Sequence, residues 1–275
     1  MAPRRWRSVP ADGGGKDVID TMAGNPPGNP AYGDGYFVRT TRFRRLGPGE
    51  LEVVMEDGFH ALAMILYHDD YALQRVTARW ERHPLTSCGG AELAMQDLGG
   101  VPLVDDLRIR WLVAQPDQQC THMFDTLRLA TVHAALGRAD RRYDVVLPDT
   151  ASDRQIIRLL VDGCADLEIT VDAAFRVVAP AVYAGAPLLG GFARWAGEKL
   201  SAVEFEKMFL LQRGAFVGRG QKLDIAQFYD RPGALSGPPP ASCFGSQPIR
   251  YKTSRRLANA RPGLRIDEAA RFGFS

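Results

Sequence analysis

The chain has 275 residues, of which 45% are hydrophobic and 24% charged. These are ordinary globular values, which exclude disorder along the whole chain, a collagen-like repeat and a coiled coil. The 34 Lys and Arg nearly balance the 32 Asp and Glu, leaving a net charge of +2; a dedicated nucleic-acid binder carries a clear basic excess, so nucleic acid is not an expected partner.

The length suffices to bury a core without disulfides. Cys88, Cys120, Cys164 and Cys243 are too few for a disulfide scaffold and include no CxxC pair. No apolar run reaches the roughly 18 residues of a membrane span, and the N-terminus lacks the apolar core of a secretory signal. The expectation is a cytoplasmic protein of bacterial type with reduced thiols, no membrane partner and an open oligomeric state.

In chain order, residues 1–33 read as a flexible leader, because Gly13-Gly14-Gly15 and Asn25-Pro26-Pro27-Gly28-Asn29-Pro30 break every period. Residues 34–138 read as a first α+β unit. Tyr36–Arg45, Glu50–Glu56, Phe59–Tyr67 and Tyr71–Arg82 form an antiparallel meander, with Val76, Ala78 and Trp80 alternating against polar neighbours. Helices are expected over Gly89–Asp97, over Val104–Val113 with Asp105-Asp106 near its N-cap, and over Cys120–Leu136. In the last, Met123, Leu127, Ala130 and Ala134 share a face and Gly137 caps the end.

Residues 139–230 read as a second α+β unit. Its strands are Arg142–Leu147, Gln155–Asp162 and Asp166–Val178, and its helices Leu189–Leu200 and Val203–Val217, the latter opened by a Ser201/Glu204 capping box. The fold class is thus α+β, antiparallel strands followed by helices. Two pseudo-repeated units packed as one body would account for the order. Residues 231–275 are a Pro/Gly-rich tail, a linker or a wrapping arm, on which Cys243 lies back over the site or not. Arg250-Tyr251-Lys252 and Arg255-Arg256 read as solvated surface.

Reactive side chains concentrate in the first unit. Cys120 opens a helix, where orphan N–H groups and the dipole favour a thiolate. His122 follows, and Asp125 stands three residues on, on the same face, to orient the imidazole. Cys88 sits at another helix start and His60 on the apolar third strand. Mixed Cys/His chemistry then has two forms. One is a metal site of His60, Cys88, Cys120 and His122, holding a divalent ion such as zinc or iron. The other is metal-free thiol and imidazole chemistry, with Cys120, His122, Cys88, His60 and Asp125 as the catalytic set. Blander readings hold elsewhere. Cys164 is a small buried hydrophobe, His133 a cation at a helix C-terminus, and His68 a turn residue. No nucleotide-cofactor motif is present: Gly214–Gly220 has glycines at a suggestive spacing but ends a helix instead of joining strand to helix.

The stretch from Gly58-Phe59-His60-Ala61 to Cys120-Thr121-His122-Met123-Phe124-Asp125 resembles an uncharacterised bacterial domain-of-unknown-function family (DUF 2889), over about residues 36–136. His60, Asp70, Pro84, Cys88, Cys120, Thr121 and His122 fall on its pattern, whereas Gln119 replaces a common Gly, Met123 a common Leu, and Met64 is displaced. The resemblance implies a shared Cys/His constellation and supplies no reaction. With Phe59, Trp80, Trp111 and Phe124 nearby, the expected function is an enzyme acting on a small hydrophobic substrate by isomerase, hydratase or lyase chemistry. The alternative is a non-catalytic accessory or ligand-binding protein, in a catabolic context, with a structural Cys/His cluster.

Overall fold

The computed structural model describes residues 28–33, 35–109, 118–150 and 152–261, with the backbone of 264–265. The leader up to residue 27 and Trp111 lie outside the described residues.

The first meander forms as the alternation predicts: β1 (Gly35–Gly47), β2 (Glu50–Glu56), β3 (Ala61–His68) and β4 (Leu73–Arg82). A second follows, β5 (Arg141–Pro148), β6 (Arg154–Val161), β7 (Cys164–Asp172) and the short β8 (Val177–Ala179). The two join through β1 and β5, giving one antiparallel sheet in the order β4-β3-β2-β1-β5-β6-β7-β8; β9 (Leu264–Arg265) also pairs with β1. The strand-then-helix order therefore occurs twice within a single sheet. The halves differ in kind, however, since β8 has three residues against ten in β4.

The period of two decides which face is buried. Phe37, Arg39, Thr41 and Phe43 of β1 all point into the core, as do Leu51, Val53 and Met55 of β2. The helices α1 (Ala91–Gln96), α2 (Thr121–Ala135), α3 (Phe192–Lys199) and α4 (Ala202–Gly218) belong to the core built on this face. The opposite face carries polar ladders such as Thr40–Asp144–Arg142 and Arg158–Glu168. Two glycines let α4 lie close on the sheet. A Cβ on Gly214 would come within 2.4 Å of Val145, and one on Gly218 within 3.1 Å of Phe37 and Leu147. That packing is the use of the Gly214–Gly220 run. The Ser201/Glu204 capping box opens α4 as expected. No helix among the described residues is long and apolar enough to cross a membrane.

Some expected elements differ. No helix occurs over residues 104–109, the described part of the expected Val104–Val113 helix, or over the preceding 101–103. That backbone bonds to the start of β4, Leu73 N–H to the Val101 carbonyl and Leu103 N–H to the Tyr71 carbonyl. Asp106 caps no helix there; its carboxylate accepts from the Arg108 backbone and binds its guanidinium. The expected strand Asp166–Val178 breaks in two, because Asp172 accepts N–H bonds from Ala174 and Arg176 and turns the chain through Phe175 at φ 55°. The helix expected from Leu189 starts at Phe192, after Gly191 at φ 86°.

The described tail, residues 231–261, is an arm instead of a linker. It folds through short 3-10 turns and α5 (Pro248–Tyr251) and bridges to Leu85. Tyr251 and Arg256 are buried, not solvated surface. Residues 28–33 begin at a bridge to Leu223.

Candidate functional site

Each site residue is placed by a local device. The Asp57-Gly58-Phe59-His60 turn joins β2 to β3, and Asp57 Oδ1 accepts the backbone N–H groups of Phe59 and His60 at 2.7 and 2.8 Å. His60 therefore sits in this turn, one residue before the strand on which the alternation had put it. Cys88 ends a 3-10 turn after β4, whose carbonyl accepts a bond from Trp80 Nε1 at 3.2 Å. Cys120 is the N-cap of α2, and His122 and Asp125 lie in its first turns. The arm brings Cys243 to the start of another 3-10 turn, with Phe244 N–H bonded to the Gln119 carbonyl.

These residues meet at one cavity of about 470 Å³. Its wall holds His60, Cys88, Cys120, His122 and Asp125, the whole catalytic set expected from the sequence, together with Cys243 from the arm. Phe59, Trp80, Leu189 and Phe216 supply apolar surface. The rings of His60 and His122 stack with centroids 3.8 Å apart.

The orienting carboxylate is Asp57, not Asp125. Asp57 Oδ1 lies 3.1 Å from His60 Nδ1, while Oδ2 takes both Nε and Nη2 of the buried Arg39. Burial opposes the Asp57 charge, but Arg39 and His60 beside it hold the carboxyl well below the usual range. Asp125 instead pairs with Arg213 of α4 at 2.7 Å. A carboxylate acceptor fixes the proton of His60 on Nδ1 and leaves Nε2 as a base.

Burial lowers the His60 pKa despite Asp57, and lowers that of His122 much further with help from His60 and Arg39. Both rings are neutral near pH 7. The thiols move the other way. Burial pushes Cys88 up to about 12, with Cys243 adding to the rise, and raises Cys120 beyond that, with Cys88 adding. The N–H groups of Met123 and His122 lower Cys120 only in part. The thiolate expected at this helix start is overturned: desolvation outweighs the helix terminus, and both groups are protonated thiols.

The sequence-derived metal set is not supported by geometry. Among the described residues no three His, Cys, Asp or Glu side chains are arranged to hold a metal ion. His60 is turned to Asp57, and the thiols lie on separate turns. His133, expected as a cation at a helix end, is stacked on Phe43 at 4.6 Å, its pKa lowered by burial to about 4. Cys164, expected to be buried, is exposed at the start of β7. His68 bonds the Asp69 carbonyl at the end of β3, as a turn residue should.

Sequence reasoning missed Asp57, Arg39 and Arg256. Two of them left signals: an Asp-Gly turn three residues before a histidine, and an arginine in the core register of β1. Compared with protein-family models, curated proteins and solved structures, the chain matches none.

Proposed function

We propose that the protein is an enzyme that moves protons on a small apolar substrate, an isomerase, hydratase or lyase without an organic cofactor. The observation that carries this reading is the Asp57–His60–His122 array in the wall of one mainly apolar cavity that Cys88 and Cys120 also line. His60 Nε2 takes a proton from a substrate C–H bond, and Asp57 and the ring of His122 steady the imidazolium that forms. The thiol of Cys88 or Cys120 gives its proton to the other end of the substrate. The imidazolium then returns a proton to the thiolate, so the substrate is rearranged without change in composition. Thiols held protonated by burial carry a proton to give and argue against a resting nucleophile. Membership of the DUF 2889 family is part of the proposal, resting on the same His60, Cys88, Cys120 and His122.

The test is proton exchange in D2O with 2-cyclohexenone and phenylacetone as probes, read by NMR. Exchange above the solvent background is expected, and its loss in His60→Asn and Cys120→Ala. Binding of these probes with no such exchange would favour the ligand-binding alternative, to which an apolar cavity with protonated thiols is equally suited.

A further inference from the structure

One guanidinium in the cavity wall, that of Arg256, has no acid beside it among the described residues. Arg256 lies on the arm and is only 7% exposed. Its backbone is clamped by bonds to Asp230 and Arg231 and a bridge to Leu85. The ionisable groups acting on it are Cys88, Tyr229 and Tyr251, with His60 also in range, and none of them is a carboxylate. Of the other arginines in the wall, Arg39 and Arg213 are spent on Asp57 and Asp125, and Arg219 lies over the Phe175 ring. Buried charges are as a rule paired, because an isolated one loses its hydration for nothing. A second group points the same way: Ser236, on the same arm and in the same wall, has a buried Oγ with no hydrogen-bond partner among the described residues.

We propose that the cavity takes a small apolar carboxylic acid, its carboxylate bound by Arg256 and Ser236 and its apolar body against Phe59, Trp80 and Leu189. A planar carboxylate fits a guanidinium with two parallel bonds. A monoanion balances the charge of Arg256, and no lysine among the described residues lines the wall to help hold a phosphate dianion. Arg256 acts electrostatically on both His60 and Cys88, so the acid's first carbons come to rest beside the proton-transfer groups. The inference rests on the proposed function for its site and names the substrate class.

Calorimetry with hexanoate, trans-cinnamate and 4-phenylbutyrate, each against its primary amide, tests it. At least one acid should bind about tenfold or more tighter than its amide, the worth of a charge-assisted pair. R256M should abolish that preference and R256K retain part of it. The idea is overturned if none of the acids binds, if amides bind as well as acids, if R256M keeps the preference, or if 3-phenylpropyl phosphate binds more tightly than the acids. The acid–amide comparison on the unaltered protein stands even if the variants misfold. Binding is scored without turnover. Acid preference without proton exchange would therefore sink only the chemistry, and exchange without acid preference only the ligand class.

Discussion

His60 is buried and His122 half-buried, and the two stacked rings are neutral; this makes the protein sensitive to acid in a definite direction. Their folded pKa values lie below the unfolded value near 6.5. Above that pH neither state holds the protons. As pH falls below it the unfolded chain binds protons that the buried rings refuse, and stability drops by up to about 1.4 kcal/mol per pH unit for each ring. A further loss begins below about pH 4, where the unfolded chain protonates Asp57 and the folded state does not. Urea midpoints from pH 7.5 down to pH 5 should decline, and H122N should flatten the decline; an unchanged slope in H122N would refute the assignment. Asp57→Asn should cost about 3–5 kcal/mol, because it strands the buried Arg39. Part of this was legible in the sequence. The cysteines and histidines stood out by type, and Cys88, Cys120, His60 and His122 all reached the cavity. Asp57 did not stand out, because an aspartate in an Asp-Gly turn reads as turn chemistry, and only its two backbone bonds show that the turn aims a carboxylate at His60.

At the scale of elements, the contact of α4 with the sheet is decided by small residues. Gly214→Ala gains helix propensity of up to about 1 kcal/mol, but its Cβ would meet Val145 at 2.4 Å, and overpacking of this kind costs about 1–3 kcal/mol. The variant should be less stable. Gly197→Ala in α3, whose Cβ would meet nothing within 4 Å, should be more stable. Thermal melts of the pair check both signs. Strands were read well because alternation is local. The described part of the expected Val104–Val113 helix, residues 104–109, is not helical: Val101, Val104 and Leu107 bury at a helical spacing although residues 101–103 bond to the start of β4. Apolar spacing alone does not separate those two ways of burying side chains.

At the scale of the whole molecule, the arm closes the cavity that the sheet and helices leave open. Phe244 packs against Gly90, and a Cβ on Gly245 would stand 3.1 Å from Cys88 Sγ. Phe244→Ala should therefore cost about 3 kcal/mol and expose Cys88. Alkylation near pH 8 followed by mass spectrometry should show Cys164 modified first in the unaltered protein, and Cys88 modified faster in the variant. Equal Cys88 rates would show that the arm does not cover it.

By itself the sequence determined the α+β class, the meanders, the α4 cap and the set of reactive residue types. All of these depend on period, propensity and short-range hydrogen bonds. The tertiary structure alone decided that β1 and β5 join two meanders into one sheet. It also decided that Asp57 and not Asp125 serves the histidines, that burial keeps the thiols protonated, and that Arg256 faces the cavity. These depend on which distant groups share a low-dielectric space, and no local spacing encodes that. The balance of 34 basic against 32 acidic residues is the same on either reading; what it hid is a buried guanidinium with no acid beside it among the described residues.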